Sequence, residues 1–255
     1  VTGTFDDNGG NDTIKLNVQG GNVDIKDVVM TDVDNISLAN NAGATMTRAQ
    51  HGKLNAATGD NTITLSDAGT LTGDSNVEAY VLAAGAQTFT LGATGQSVKA
   101  NSTGGNGAIV IDTDSLTSVT GTFDDNGGND TIKLNVESNA DISGAATADV
   151  DTIDLANGVD VTMTVAQHGV LNAAAGTNVI TLSNAGTLTG DANVETYVMA
   201  AGGGTTITLG ATGQNVTTGN GADTIDVGDK TATGIFRTSS TSTIKLSNNA
   251  NIAGV

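Results

Sequence analysis

Val1–Val18 reads VTGTFDDNGGNDTIKLNV, and Val119–Val136 repeats it letter for letter, so the chain restarts its own text at Val119. Outward from this pair, the match continues at the same offset to within one position. AQHGKLNAA at Ala49–Ala57 matches AQHGVLNAA at Ala166–Ala174. TLTGDSNVEAYVLAAG at Thr70–Gly85 matches TLTGDANVETYVMAAG at Thr187–Gly202, and LGATGQSV at Leu91–Val98 matches LGATGQNV at Leu209–Val216. A third copy opens at Gly234, where GIFRTSSTSTIKL tracks GTFDDNGGNDTIKL from Gly121. The chain thus divides into long repeats over residues 1–118 and 119–232 and the start of a third over residues 233–255. Such an array is expected to be cut from a longer one.

A shorter beat runs inside each long repeat, of the form Asp/Asn-x-Ile-x-Leu. NDTIKL (Asn11–Leu16), VDNISL (Val33–Leu38), DNTITL (Asp60–Leu65) and QTFTL (Gln87–Leu91) carry it in the first copy. NDTIKL (Asn129–Leu134), VDTIDL (Val150–Leu155), NVITL (Asn178–Leu182) and TTITL (Thr205–Leu209) carry it in the second, followed by ADTIDV (Ala222–Val227) and STIKL (Ser242–Leu246). Each alternates apolar and polar residues and is rich in Ile and Thr, which predicts a short half-buried strand. Clusters of Gly, Asn, Asp and Ser between them predict turns.

One such strand cannot bury its apolar face alone, but stacked copies can, each Ile resting on its counterpart about 4.8 Å away in the next coil. The absence of Pro suits a backbone whose N–H groups are committed to ladders. The predicted fold is therefore all-β, an irregular parallel β-helix (β-solenoid). The beat is unevenly spaced, its apolar centres falling at Ile14, Ile36, Ile63 and Phe89, which predicts coils of varying length. The rival is a string of tandem β-sandwich domains, since one long repeat is a suitable size for such a domain. Thr47–Ala57 and Thr164–Ala174 open on a good N-cap and carry Ala, Gln and Leu, so a short helix is expected in each.

Composition narrows the function. The 255 residues include 35 Gly, no Cys and no Trp, and aromatics are 2%. Without Cys there is neither a disulfide framework nor a thiolate metal site. The net charge of −18 excludes a nucleic-acid footprint and argues against adhesion to anionic lipid. It favours divalent cations, which carboxylate oxygens coordinate. No apolar run approaches the roughly 20 residues of a membrane span.

The DDNGGND loops, Asp6–Asp12 and Asp124–Asp130, are the leading cation candidates. Each offers three carboxylates, Asn oxygens and Gly carbonyls, enough for a calcium shell; the same residues also suit a plain acidic turn. Asp149, Asp151 and Asp154, with Asp32 and Asp34 in the first copy, lie beside strands and are weighed as a second cation row or a solvated edge. His51 and His168 hold equivalent repeat positions with no Cys and no nucleophile motif beside them, so a structural role is expected rather than zinc or catalysis. The Thr-x-Thr pairs, such as Thr62/Thr64 and Thr206/Thr208, match the solvent side of strands, and their irregular spacing argues against a flat ice-binding array.

At DNGGNDTIK (Asp7–Lys15) and TGNGADTID (Thr218–Asp226) the chain resembles the RTX nonapeptide, G-G-x-G-x-D-x-U-x. Gly219, Gly221, Asp223 and Ile225 fall on that motif, with Thr218 in place of its first Gly. Gly10, Asp12 and Ile14 fit it in the first repeat, and Gly128, Asp130 and Ile132 in the second; Asp7 and Asn8 replace the leading glycines. GGNGAIVID (Gly104–Asp112) keeps the glycines but has Ile109 where the Asp belongs. The motifs are isolated rather than consecutive. More broadly, the long repeats look like those of large bacterial S-layer and biofilm surface proteins. The resemblance implies type I secretion to the cell surface and calcium held between coils. The implied metal residues are Asp6, Asp7, Asn8, Gly10, Asp12, Asp124, Asp125, Asn126, Gly128, Asp130, Gly219, Gly221 and Asp223.

The functional expectation is a structural, non-enzymatic module of an extracellular bacterial surface or matrix protein, an S-layer, a filament or an adhesin stalk. It is expected to be stabilised by calcium and to form a homo-oligomer or polymer through coil edges or lateral faces, without nucleic acid and without membrane insertion. The alternatives are an adhesin module binding a cell-surface glycan, protein or ice, and a polysaccharide lyase-like β-helix enzyme. A lyase site needs Arg or Lys beside acidic ligands, and the chain has two Arg, Arg48 and Arg237.

Overall fold

A computed structural model describes residues 1–6, 13–101, 107–247 and 251–252. The chain is a β-solenoid of about 12 turns. Every strand pairing among the described residues is parallel. Parallel pairing between strands so close in sequence is what coiling gives and what a Greek-key sandwich does not. The tandem-sandwich alternative is thereby set aside. Two compact units are present, one of residues 1–112, 120–133 and 145–150, the other of residues 113–119, 134–144 and 151–255.

In the first unit, strands alternate between two faces. Asn22–Asp24, Gly43–Met46, Thr62–Leu65, Ala79–Val81, Ser97–Lys99 and Phe123–Asp124 form one six-stranded sheet. Between them in sequence come Ile14–Val18, Val33–Leu38 and Leu54–Ala56, which pair with each other, and then Thr70–Thr72, Gln87–Thr90 and Ala108–Asp112, which do the same. Most turns thus contribute two strands, and near the start Gly3–Thr4 and Val28–Val29 add a short pair of their own. Ala44, Ile63, Tyr80, Val98 and Phe123 are mutual register partners and all are buried, so the core is a column of stacked side chains. Burial of each large member contributes about 2 kcal/mol.

The second unit repeats the scheme. Ala140–Asp141, Asp160–Met163, Val179–Leu182, Thr196–Val198, Asn215–Thr217 and Phe236–Arg237 form a six-stranded sheet. Thr187–Thr189, Thr206–Thr208, Thr224–Asp226 and Thr243–Lys245 form a four-stranded one. Inside it Leu188, Ile207 and Ile225 stack as core. On its outer surface Thr187, Thr206, Thr224 and Thr243 stand in one register column, a regularity that the spacing in sequence hides.

The uneven beat has a structural reason. Ile36 pairs with Leu54, whereas Ile63 pairs with Ala44 behind it and Tyr80 ahead. The beat stays on one face from Ile14 to Ile36 but changes face between Ile36 and Ile63 and again between Ile63 and Phe89, so these last two separations are not coil lengths. The expected helices are one turn each, Arg48–His51 and Val165–His168, capped by Thr47 and Thr164 in capping boxes with Gln50 and Gln167. The rest of each predicted segment is strand, Leu54–Ala56 and Leu171–Ala173, where the coil ladder outcompetes helix propensity.

Buried Gln and Asn side chains close the corners. Gln96 accepts the Gly92 N–H and donates to the Asp74 and Val77 carbonyls of the preceding coil; Gln214 does the same with Gly210, Asp191 and Val194. At these corners the coils touch backbone to backbone. A methyl group at Gly92 would overlap the Gly73 carbonyl, and one at Gly210 the Gly190 carbonyl.

Candidate metal centre

The second DDNGGND loop lies in the first unit. Phe123–Asp124 pairs with Val98–Lys99, which sets Asp124 beside Lys99, with Nζ 3.2 Å from its Oδ2. Beyond Asp125 the chain reverses through two left-handed residues, Asn126 (φ 59°) and Gly127 (φ 71°). Asn tolerates that conformation and Gly adopts it without strain. The Asp124 carboxylate accepts the Asn126 N–H at 2.6 Å, and the Asp125 carboxylate accepts the Gly127 N–H at 2.8 Å. These two Asx turns hold both carboxylates on one side of the loop. The Asn126 amide, and after it the Lys99 ammonium, keep Asp124 below the usual carboxylate range, against an opposing effect of burial.

Asp149 supplies a third carboxylate. One oxygen from each of Asp124, Asp125 and Asp149 lies within 4.8 Å of the others, with Asp124 and Asp125 half-buried and Asp149 exposed. Three anions so placed repel one another, and a hard divalent cation that takes six to eight oxygens would relieve the repulsion. Three carboxylates, monodentate or bidentate, fit half or more of such a shell, with water for the remainder.

Asp130 is not one of the three. Its Oδ1 accepts the Gly107 N–H at 2.8 Å, tying its coil to the preceding one. Asp223 has the same kind of task in the second unit. It is 2% exposed; Oδ1 accepts the Thr205 N–H at 2.9 Å and Oδ2 the Gly219 N–H at 2.8 Å. Gly219 and Gly221 lie against the Ala200 and Gly202 carbonyls, where no Cβ fits. The glycines at this RTX-like position therefore permit close coil contact, and the Asp is a buried backbone cap.

The beat explains this cap. Asn61 and Asn178 occupy the same place. Asn61 Oδ1 accepts the Ala42 N–H at 3.1 Å, and Asn178 Oδ1 accepts the Val159 N–H at 3.0 Å. Their amide groups donate back along the chain, to the Ala57 and Ala174 carbonyls. A residue able to accept at Oδ1 is what the position requires, so Asp and Asn interchange there. The clue in the sequence was that interchange at one place in the beat.

In the first repeat, Asp6 and Asp32 stand at the positions of Asp124 and Asp149, and Asp6 is exposed. Asp7, Asn8, Gly10 and Asp12 lie outside the described residues. Of the weighed second row, Asp149 joins the first cluster instead, Asp34 accepts the Ile14 N–H at 2.8 Å, and Asp154 accepts from Asn172 at 2.7 Å. In the third copy Arg237 replaces the first Asp, and Phe236–Arg237 still pairs with Val216–Thr217.

His51 and His168 are buried, with Nε2 2.9 Å and 3.0 Å from the hydroxyls of Tyr80 and Tyr197. No family model, no curated protein and no solved structure matches the chain.

Proposed function

We propose that the chain is a structural, non-enzymatic module of an extracellular bacterial surface or matrix protein, stabilised by calcium and assembling with further copies of itself. The observation that carries this reading is coil stacking. Each unit is built by adding parallel coils whose backbone ladders complete one another, and a coil edge left unpaired accepts another coil. The RTX-like motifs support secretion of a chain that is open inside the cell and folds outside it.

Calcium belongs at Asp124, Asp125 and Asp149, with Asp6, Asp7 and Asp32 as the corresponding set in the first repeat. By holding Asp149 to the DDNGG turn, the ion would clamp that loop to a segment of the following coil. The test is a calcium titration of the purified chain, started in chelator, followed by circular dichroism, sedimentation and light scattering. A rise in thermal stability at millimolar calcium or below, followed by growth in mass, is the expected result. A chain equally stable in chelator and calcium, and monomeric at high concentration in both, overturns the reading.

A further inference from the structure

The buried histidines are placed as proton acceptors. His51 ends the one-turn helix Arg48–His51 and is 7% exposed. Its Nε2 lies 2.9 Å from Tyr80 Oη, and that same oxygen accepts the Asp74 N–H at 2.7 Å. A phenol has one proton to give. With the Asp74 amide already aimed at the oxygen, that proton goes to Nε2. His51 is then the neutral tautomer with its proton on Nδ1. His168, Tyr197 and Asp191 repeat the arrangement in the second unit, at 3.0 Å and 2.6 Å.

A proton on Nε2 reverses the logic. The tyrosine oxygen would face two N–H donors and its own hydrogen would lose its acceptor inside the core, an outcome that buried polar groups resist. The turn that this tyrosine holds is the one whose Asp74 and Val77 carbonyls are gripped by Gln96, so one protonation acts on a corner joining two coils. Burial pushes both imidazoles below their ordinary range; Asp74 and Asp191 oppose this weakly, and Glu78 and Glu195 act on the tyrosines. Of the nearby cations, Arg48 is paired with Asp67, and Lys53 donates to the Val33 carbonyl.

We infer that the two His–Tyr pairs form an acid-operated latch, closed in neutral medium and released in mild acid by a proton on His51 and His168. The sign follows from linkage. An imidazole that titrates near 6.5 when unfolded and lower when folded leaves the unfolded chain holding more protons below pH 6.5. Stability is full above that pH and falls as the medium becomes more acid. The folding equilibrium constant drops by up to about tenfold per pH unit for each latch in that window.

The experiment is urea unfolding of the whole chain in chelator from pH 7.5 to 5.0, where ordinary carboxylates stay ionised. The native chain is compared with the double variant His51→Gln/His168→Gln, whose amide oxygens can accept the tyrosine protons without titrating. The expected result is a midpoint that falls with acid in the native chain and stays level in the variant. As a second measurement, imidazole proton resonances of the native chain, which has two His, should titrate below 6.5 while it is folded. A level midpoint in the native chain, an equal fall in a folded variant, or imidazoles that titrate at or above 6.5 in the folded state overturns the latch.

Discussion

Asp223 binds the backbone of Thr205 in the coil before it, just as Asn61 binds that of Ala42. A carboxyl group buried to 2% exposure is tolerable because both oxygens are engaged by amides, at Thr205 and at Gly219. The residue that best matches a calcium-binding motif in sequence is thereby occupied with coil closure. The carboxylates that do converge, on Asp124, Asp125 and Asp149, include two, Asp124 and Asp149, that lie outside the nonapeptide match.

Asp223→Ala separates capping from ligation. It leaves two buried N–H groups without acceptors, and the expected cost is about 2–5 kcal/mol. The loss should be the same in chelator and in calcium. Asp223→Asn should cost less, about 1–3 kcal/mol, because one oxygen remains for Thr205 while the amide meets the Gly219 N–H. Urea midpoints in both media decide it; a loss that appears only with calcium would make Asp223 a ligand.

The fold was legible because Ile and Leu recur against Gly and Asn at a repeat that no isolated strand can use. Which face each strand occupies was not legible, since Ile36 and Ile63 carry the same local pattern yet pair in different sheets. The acidic turn at Asp124–Asp125 could be read from its Asx and Gly residues. Its partner Asp149 could not, because coil stacking brings it in from a later stretch of the chain. The structural reading of His51 was available from its lack of companions, but the Tyr80 acceptor geometry was not.

At the proposed cation site, Asp149→Asn should weaken the calcium-induced rise in melting temperature, and Asp124→Asn/Asp125→Asn should abolish it. Without calcium Asp149→Asn should be neutral or slightly stabilising, since it removes a like charge, whereas the double change should cost a little because Asp124 gives up its ion pair with Lys99. Differential scanning calorimetry in chelator and in calcium reads both effects. An undiminished calcium response in the double variant would move the site elsewhere.

Gly210→Ala tests backbone contact between coils. The added methyl group has no room against the Gly190 carbonyl, so the coils must part, and a loss of several kcal/mol or failure to fold is expected. Gly202→Ala is the control, since a Cβ there meets nothing within 4 Å. It should leave the urea midpoint almost unchanged. A Gly210→Ala chain as stable as the control would show that the corner can expand.

Tyr80 and Tyr197 give an optical readout of the same cores. Burial raises both phenols well above their ordinary range, and the N–H groups of Asp74 and Asp191 offset this only in part. A phenol whose folded pKa is raised favours the fold fully below about pH 10, the unfolded value, and that contribution is lost as pH climbs beyond it. The chain has two Tyr and no Trp, so tyrosinate absorbance in the near ultraviolet reports these residues alone. Little tyrosinate should form at pH 10 to 11 while the circular dichroism is native. It should then appear together with loss of the β signal, because the hydroxyls ionise when the coils open. Ionisation near pH 10 in a chain that keeps its β signal would mean that water reaches both phenols in the folded state, and the His–Tyr–Asp geometry would have to be abandoned.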